Sequence, residues 1–155
     1  MERYAQKIIQ ILGRNNIPGI YNKEDKLVYA IYANSYGEIY FIYEYENAII
    51  TSCAVYSCFI PANRKDLILK YLSSANKVKN HGDFFFDCTT DCVAFRIDYY
   101  IEEENADEDP DRFEEFCMKA YDMFVRHQLA LYKIINYRRI LGNWFFCIEK
   151  ISTSL

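Results

Sequence analysis

The chain has 155 residues, a formal net charge of −4 and a charged fraction of 26%. A domain of this length can bury a hydrophobic core without disulfides or metals. The 18 basic and 22 acidic residues form no basic stripe, so we expect no nucleic-acid partner. The 15 Tyr and 11 Phe residues favour half-buried strands and also supply side chains for interfaces.

The start of the chain runs directly into an amphipathic helical pattern, so we expect no signal peptide. The most apolar segment near the C-terminus, Trp144 to Ile148, is far shorter than the roughly 20 residues that span a bilayer, so we expect no membrane partner. We therefore expect a cytoplasmic protein with reduced cysteines. These cysteines are Cys53, Cys58, Cys88, Cys92, Cys117 and Cys147.

The first half of the chain predicts one helix followed by three strands. Apolar residues at helical spacing predict a helix over residues 2–16, which ends at the turn before Pro18. Short turns separate three apolar segments, 27–33, 38–45 and 48–59, which favours antiparallel neighbours. These strands are apolar or aromatic on both faces, so we expect helices on one face of the sheet and partial cover on the other.

The second half predicts a helix, a hairpin and a last helix. Asn63 is the expected N-cap of a helix that continues to about residue 77. Strands over residues 83–88 and 92–101 form the hairpin, and the second strand alternates cleanly between apolar and polar residues.

This order of elements predicts an α+β fold, a single antiparallel sheet with helices packed on it, in the order α-βββ-α-ββ(β)-α. We assign residues 1–139 to one α+β domain and residues 140–155 to a C-terminal tail. Three arrangements stay open for the tail, which could add a strand, pack back or exchange with a neighbouring copy.

Part of this pattern is similar to a known family. The element order, with Asn76, Gly82-Asp83-Phe84, Asp87 and the strand Val93-Ala94-Phe95-Arg96, resembles the YbjN-like bacterial family over about residues 2–137. That family is labelled a sensory transduction regulator and shares the fold of type III secretion chaperones. The resemblance implies a small, non-enzymatic, often dimeric protein-binding domain, and it implies no catalytic residues.

An acidic run lies between residues 102 and 111. It lacks the glycine spacing of an EF-hand calcium loop and contains Pro110. We interpret it as a solvated segment whose last carboxylates favour the N-terminus of a helix, and binding of a cation or a basic partner is the alternative.

The cysteines are interpreted as small hydrophobic side chains. Their spacing differs from that of a zinc knuckle, and Cys53 and Cys58 point to opposite faces of a regular strand. The alternative is a small-ligand or metal site formed by His81 with the Cys88/Cys92 hairpin. The chain has 2 histidines and no nucleophile elbow or glycine-rich phosphate loop, so we expect no enzyme, no catalytic residues and no cofactor.

We expect the last helix to have Asp109 as its N-cap and Pro110 as its first residue, and to end near Arg139. Two apolar stripes run along this helix. A helix on one sheet needs only one such stripe. The second stripe is therefore the predicted protein interface. It consists of Met118, Tyr121, Val125, Leu129 and Tyr132.

The leading hypothesis is a non-enzymatic protein-binding module, either chaperone-like or a regulatory adaptor, which binds an unidentified protein or forms a homodimer. The alternative is a small-ligand or metal-binding protein that uses His81 and the hairpin of Cys88 and Cys92.

Overall fold

A computed structural model of the protein describes residues 2–77, 82–101 and 109–136. Within these residues lie three helices and six strands. In chain order they are α1 (Glu2–Arg14), β1 (Gly19–Asn22), β2 (Leu27–Asn34), β3 (Gly37–Glu46), β4 (Ile49–Ser57), α2 (Lys65–Ala75), β5 (Asp83–Asp87), β6 (Cys92–Tyr100) and α3 (Pro110–Asn136).

One antiparallel sheet contains all the described strands, in the order β1-β2-β3-β4-β6-β5. The connection from β4 passes through a short 3-10 turn, Ala62–Arg64, and α2 before it reaches β5 at the outer edge. β6 then returns between β5 and β4. Directly opposed residues on neighbouring strands share a face, so their side chains form rows that cross the sheet.

All three helices pack on the same face of this sheet. α1 covers β1 and β2, α3 crosses β3, β4 and β6, and α2 packs against β5. Every second residue of each strand points to this face, and the apolar residues among them form one core with the helices. Fully buried rings from both layers, including Phe41, Phe95 and Phe124, lie in its centre.

Two polar contacts fix α3 on the sheet. The hydroxyl of Tyr43 donates to the carbonyl oxygen of Cys117 at 2.7 Å, and burial raises the pKa of Tyr43. The buried side chain of Gln128 accepts a hydrogen bond from Nδ2 of Asn34 at 2.7 Å and donates to the carbonyl of Gly37 at 3.3 Å. Because buried polar groups cost free energy unless they are bonded, these contacts define where α3 lies over the β2–β3 turn.

Asn76 links the end of α2 to the edge strand β5. Its Nδ2 donates to the carbonyl of Phe84 at 2.7 Å, and its Oδ1 accepts from the Phe84 N–H at 2.8 Å. The side chain therefore supplies the hydrogen bonds that a neighbouring strand would give at this point of the sheet.

The predicted α+β fold is confirmed, with one antiparallel sheet and helices packed on it. The structure adds β1, where the sequence indicated only a turn and a link. Its four residues pair with β2 from Gly19 opposite Ala30 to Asn22 opposite Leu27. The predicted cap of the last helix is also confirmed, because Oδ1 of Asp109 accepts from the N–H of Asp111 at 3.0 Å.

The predicted N-cap role of Asn63 is wrong. Pro61 precedes a 3-10 turn that contains Asn63, and α2 begins only at Lys65. No side chain caps the turn or α2, because Asn63 is already inside the first turn rather than ahead of it.

The predicted tail, residues 140–155, and its optional strand lie outside the described residues. Among the residues that are described, no helix combines the length and the apolarity needed to cross a bilayer.

Gly82 provides a test of the packing beneath β5. A Cβ atom at this position would lie 2.5 Å from Cζ of Phe95 and 2.7 Å from the carbonyl oxygen of Arg96. We expect Gly82→Ala to lower the free energy of unfolding by about 1–3 kcal/mol, since the backbone must move. Urea unfolding followed by circular dichroism measures the change.

The matched control for this prediction is Gly13→Ala in α1, where a Cβ atom would meet nothing within 4 Å. That variant should be roughly 0.5–1 kcal/mol more stable than the wild type, because alanine loses less entropy in a helix. Equal stability of the two variants would contradict the close approach of β5 and β6 at Gly82.

Candidate functional site

The face of the sheet opposite the helices, called here the open face, is the candidate functional site. Within the described residues no helix packs on it, and six of the eleven exposed large apolar side chains belong to it. They are Ile20, Tyr29, Ile31, Tyr40, Phe85 and Tyr100. Exposed apolar residues are normal when they are scattered, so their concentration on one face is the informative feature.

Two adjacent rows of side chains form an apolar band across the open face. The first row crosses five strands, and at about 4.8 Å per strand it is about 19 Å long. It consists of Ile31, Tyr40, Val55, Ala94 and Phe85. The second row contributes Ile20, Tyr29, Ile42 and Cys53, and it continues as Arg96 and Asp83 at the other edge.

Two depressions on the open face are lined by described residues. One of about 490 Å³ lies over β2, β3 and β4, where Ile31, Tyr40 and Val55 contribute to its lining. The other, of about 370 Å³, lies over β5 and β6 and is lined in part by Phe85 and Arg96. Both are open to solvent rather than enclosed, so they suit side chains of a partner better than a small molecule that must be largely surrounded.

Carboxylates flank the apolar band on both sides. Glu38 and Asp87 lie beyond the first row, and Glu44 and Asp98 lie beyond the second. The one cation that the strands place on this face is Arg96, and its Nε lies 3.1 Å from Oδ1 of Asp98. Arg96 offsets the charge of Asp98, so the net negative character of the described strands on this face comes from Glu44 on one flank and from Glu38 and Asp87 on the other.

Local hydrogen bonds hold two of these carboxylates in place. The side chains of Thr89 and Thr90 donate to Asp87 and lower the pKa of its carboxyl to about 2, so it is charged at neutral pH. On β3, Glu38 accepts from the hydroxyl of Tyr40 at 2.7 Å, and this bond raises the pKa of Tyr40. The hydroxyl of Tyr40 is therefore already engaged at the border of the band.

Two residues of the predicted α3 interface contact the protein's own sheet. The ring of Tyr121 lies 5.0 Å from that of Tyr32 and 6.2 Å from that of Phe41, and the ring of Tyr132 lies 5.5 Å from that of Tyr36. Tyr121 and Tyr132, two members of the predicted interface, thus make packing contacts within the molecule.

The other members of the predicted α3 interface differ in exposure. Val125 and Leu129 are 40% and 39% exposed, whereas Met118 is half-buried against the core. Val125 and Leu129 thus remain accessible to a partner, and the interface on α3 stays a prediction.

The cysteine hairpin of the alternative hypothesis lies at the β5–β6 turn, with Cys88 exposed and Cys92 half-buried. Burial, with a further contribution from Cys92, raises the pKa of the Cys58 thiol to about 12, and burial also raises the pKa of Cys53. His81 lies outside the described residues. Within residues 2–77, 82–101 and 109–136 no group of three His, Cys, Asp or Glu side chains could hold a metal ion. The metal or ligand site stays a prediction.

The acidic run falls mostly outside the described residues, which resume at Asp109. The described part has a local role, because Asp109 caps α3. The interpretation of the run as a solvated segment stays a prediction, and binding of a cation or a basic partner stays its alternative.

His127 is a half-buried residue of α3 that packs against α2 and β5. Its Nδ1 is 2.6 Å from the hydroxyl of Tyr71, and its ring packs edge-on against Phe84 with centroids 5.0 Å apart. Burial, and then the neighbouring Arg126, lowers the pKa of His127 below its ordinary value. The neutral ring therefore serves packing here.

Sequence reasoning did not select the open face as a site. The signal was present in the strands, where Tyr29 and Ile31 alternate with the buried Val28 and Ala30. An apolar residue at every position of a strand indicates that both faces avoid water, but it does not say which face the helices take.

In comparisons with known proteins, no family model matches the chain, and no curated protein matches it either. The resemblance to the YbjN-like family stays a prediction.

The lowered pKa of the half-buried His127 predicts that the free energy of unfolding depends on pH. The unfolded chain binds a proton at the ordinary pKa of about 6.5, and the folded chain binds it only at a lower pH. The unfolded state thus holds more protons between these two values, so stability is complete above pH 6.5 and falls as the pH falls through this window.

His127→Gln removes this titration, so its free energy of unfolding should change less than that of the wild type between about pH 7.5 and about pH 5.5. Urea unfolding of both proteins at both pH values measures how the free energy of unfolding changes with pH. This change can be compared even if the variant is less stable than the wild type at every pH. Parallel slopes would contradict a lowered pKa for His127.

Proposed function

We propose that this protein is a non-enzymatic binding module that holds a protein partner on its open face. The apolar band carries this proposal, because it forms a continuous surface across five strands and five of its side chains are exposed, while Ala94 is buried and the others are half-buried. The exposed ones are Ile20, Tyr29, Ile31, Tyr40 and Phe85. Burial of apolar surface is the main favourable contribution to most protein association, at roughly 25 cal/mol per Å².

The strands and the core beneath the apolar band also favour a binding site that is formed before the partner binds. Helices and sheet share one core, and the strands that carry the band are held by the backbone pairing of the whole sheet. A partner can therefore bind without rearrangement of the backbone beneath it. The resemblance to the YbjN-like family is consistent with the same function.

The proposed setting is the cytoplasm. The described cysteines, Cys53, Cys58, Cys88, Cys92 and Cys117, are free thiols, which suits a reducing compartment.

Substitution of Ile31 tests the proposed function. Ile31 is 48% exposed at the β2 end of the first row, and Ile31→Glu places a charge on the band without loss of core packing. We expect affinity capture from the native cell extract to recover a discrete protein with the wild type and to lose it with Ile31→Glu. The recovered protein is then purified, and titration calorimetry with the wild type measures the stoichiometry and Kd.

Leu69→Glu is the matched control, since Leu69 is also 48% exposed but lies on α2, away from the open face. This variant should capture the same protein as the wild type. Equal loss with both variants would indicate a general effect of the new charge, and full retention with Ile31→Glu would remove the open face as the site.

The same capture experiment with Leu129→Glu tests the interface predicted on α3. Loss of the partner with Leu129→Glu, together with retention by Ile31→Glu, would transfer the proposed function to α3. If the open face is the site, we expect Leu129→Glu to capture as the wild type does, because Leu129 projects from a helix on the opposite side of the sheet.

A further inference from the structure

We infer that the segment that binds the open face is a basic amphipathic helix of about 13 residues, which lies across the strands along the apolar band. This inference rests on the proposed function, and it specifies the chemistry of the partner.

The backbone of the bound segment favours a helix. The open face presents side chains, not the hydrogen-bonding edge of a strand, so it offers few backbone groups to an incoming chain. A segment that lies on the apolar band loses water from its own N–H and C=O groups, which then need partners within the segment. A helix meets this requirement internally, and an isolated extended peptide does not.

The length of the apolar band sets the length of the bound helix. The first row of the band, from Ile31 to Phe85, crosses five strands, a length of about 19 Å. At about 1.5 Å per residue, a helix of about 13 residues has this length. Its apolar positions, spaced three and four residues apart, form a stripe that can follow the two rows.

The carboxylates that flank the apolar band favour a basic helix. Glu38 and Glu44 lie on opposite sides of the band and six residues apart on β3, a separation of roughly 20 Å. A helix with its side chains is about 10–12 Å wide, so Lys and Arg side chains that extend from its two sides reach toward both flanks. An acidic helix would meet like charges on both sides instead.

The same flanks argue against a second copy of this chain as the occupant. A symmetric pair of open faces would oppose the same surface to itself. Because carboxylates line both sides of the band, rotation of one copy over the other still brings acidic flanks together, and each copy carries a net charge of −4.

Selection from a peptide library tests the chemistry without knowledge of the natural partner. Random peptides of about 16 residues, displayed on phage, are selected on the wild-type protein after removal of those that bind the Ile31→Glu protein. We expect the retained peptides to carry net positive charge and apolar residues spaced three and four apart. In titrations, Glu44→Lys should weaken their binding by about tenfold or more.

The control for the charge effect is Glu115→Lys on α3, whose carboxylate is exposed and lies on the helix side of the sheet. It makes the same change of charge, and we expect less than about a twofold change in Kd, since screening reduces distant charge effects. Neutral or acidic retained peptides, or equal Kd values for wild type and Glu44→Lys, would overturn the inference.

Two results distinguish failure of this inference from failure of the proposed function. If Ile31→Glu loses its partner in the capture experiment but the retained peptides are not basic, the open face is a protein site and the inferred chemistry is wrong. If sedimentation shows a dimer of the wild type that Ile31→Glu abolishes, a second copy occupies the face and the inference is overturned.

Discussion

The placement of all the described helices on one face of the sheet is the constraint on which the rest of the structure depends. It concentrates the aromatic side chains of both layers in a single core, with Phe41, Phe95 and Phe124 fully buried. The same placement leaves the second face of every described strand without cover from α1, α2 or α3. A half-covered antiparallel sheet usually turns polar side chains to water, whereas this one turns Tyr29, Ile31 and other apolar groups outward.

The polar contacts of α3 determine how the two candidate surfaces are related. Tyr43 and Gln128 fix the helix over the sheet, so the exposed Val125 and Leu129 face away from the apolar band. The two surfaces therefore lie on opposite sides of one rigid layer. A single protein domain could engage one of them without contact with the other, so single substitutions separate the two surfaces.

Most of the fold could be predicted from the sequence because its signals are local. The period of two in β6 and the Asp109-Pro110 start of α3 each depend on residues near one another in the chain. β1 could not be predicted this way, since a four-residue strand is defined by its pairing with β2. The open face escaped prediction for a related reason: strands that are apolar on both sides do not reveal which side the helices cover.

The hydrogen bonds of Asn76 have a consequence for self-association. Exposed backbone groups of an edge strand are a template on which another chain can pair, and such pairing begins aggregation. Because Asn76 occupies both the N–H and the carbonyl of Phe84, it blocks the first part of β5 against an added strand. At the other edge, β1 is only four residues long and offers a short template. A protein that keeps an apolar surface accessible thereby offers only a shortened template at each edge of its sheet for the edge-to-edge growth that leads to fibrils.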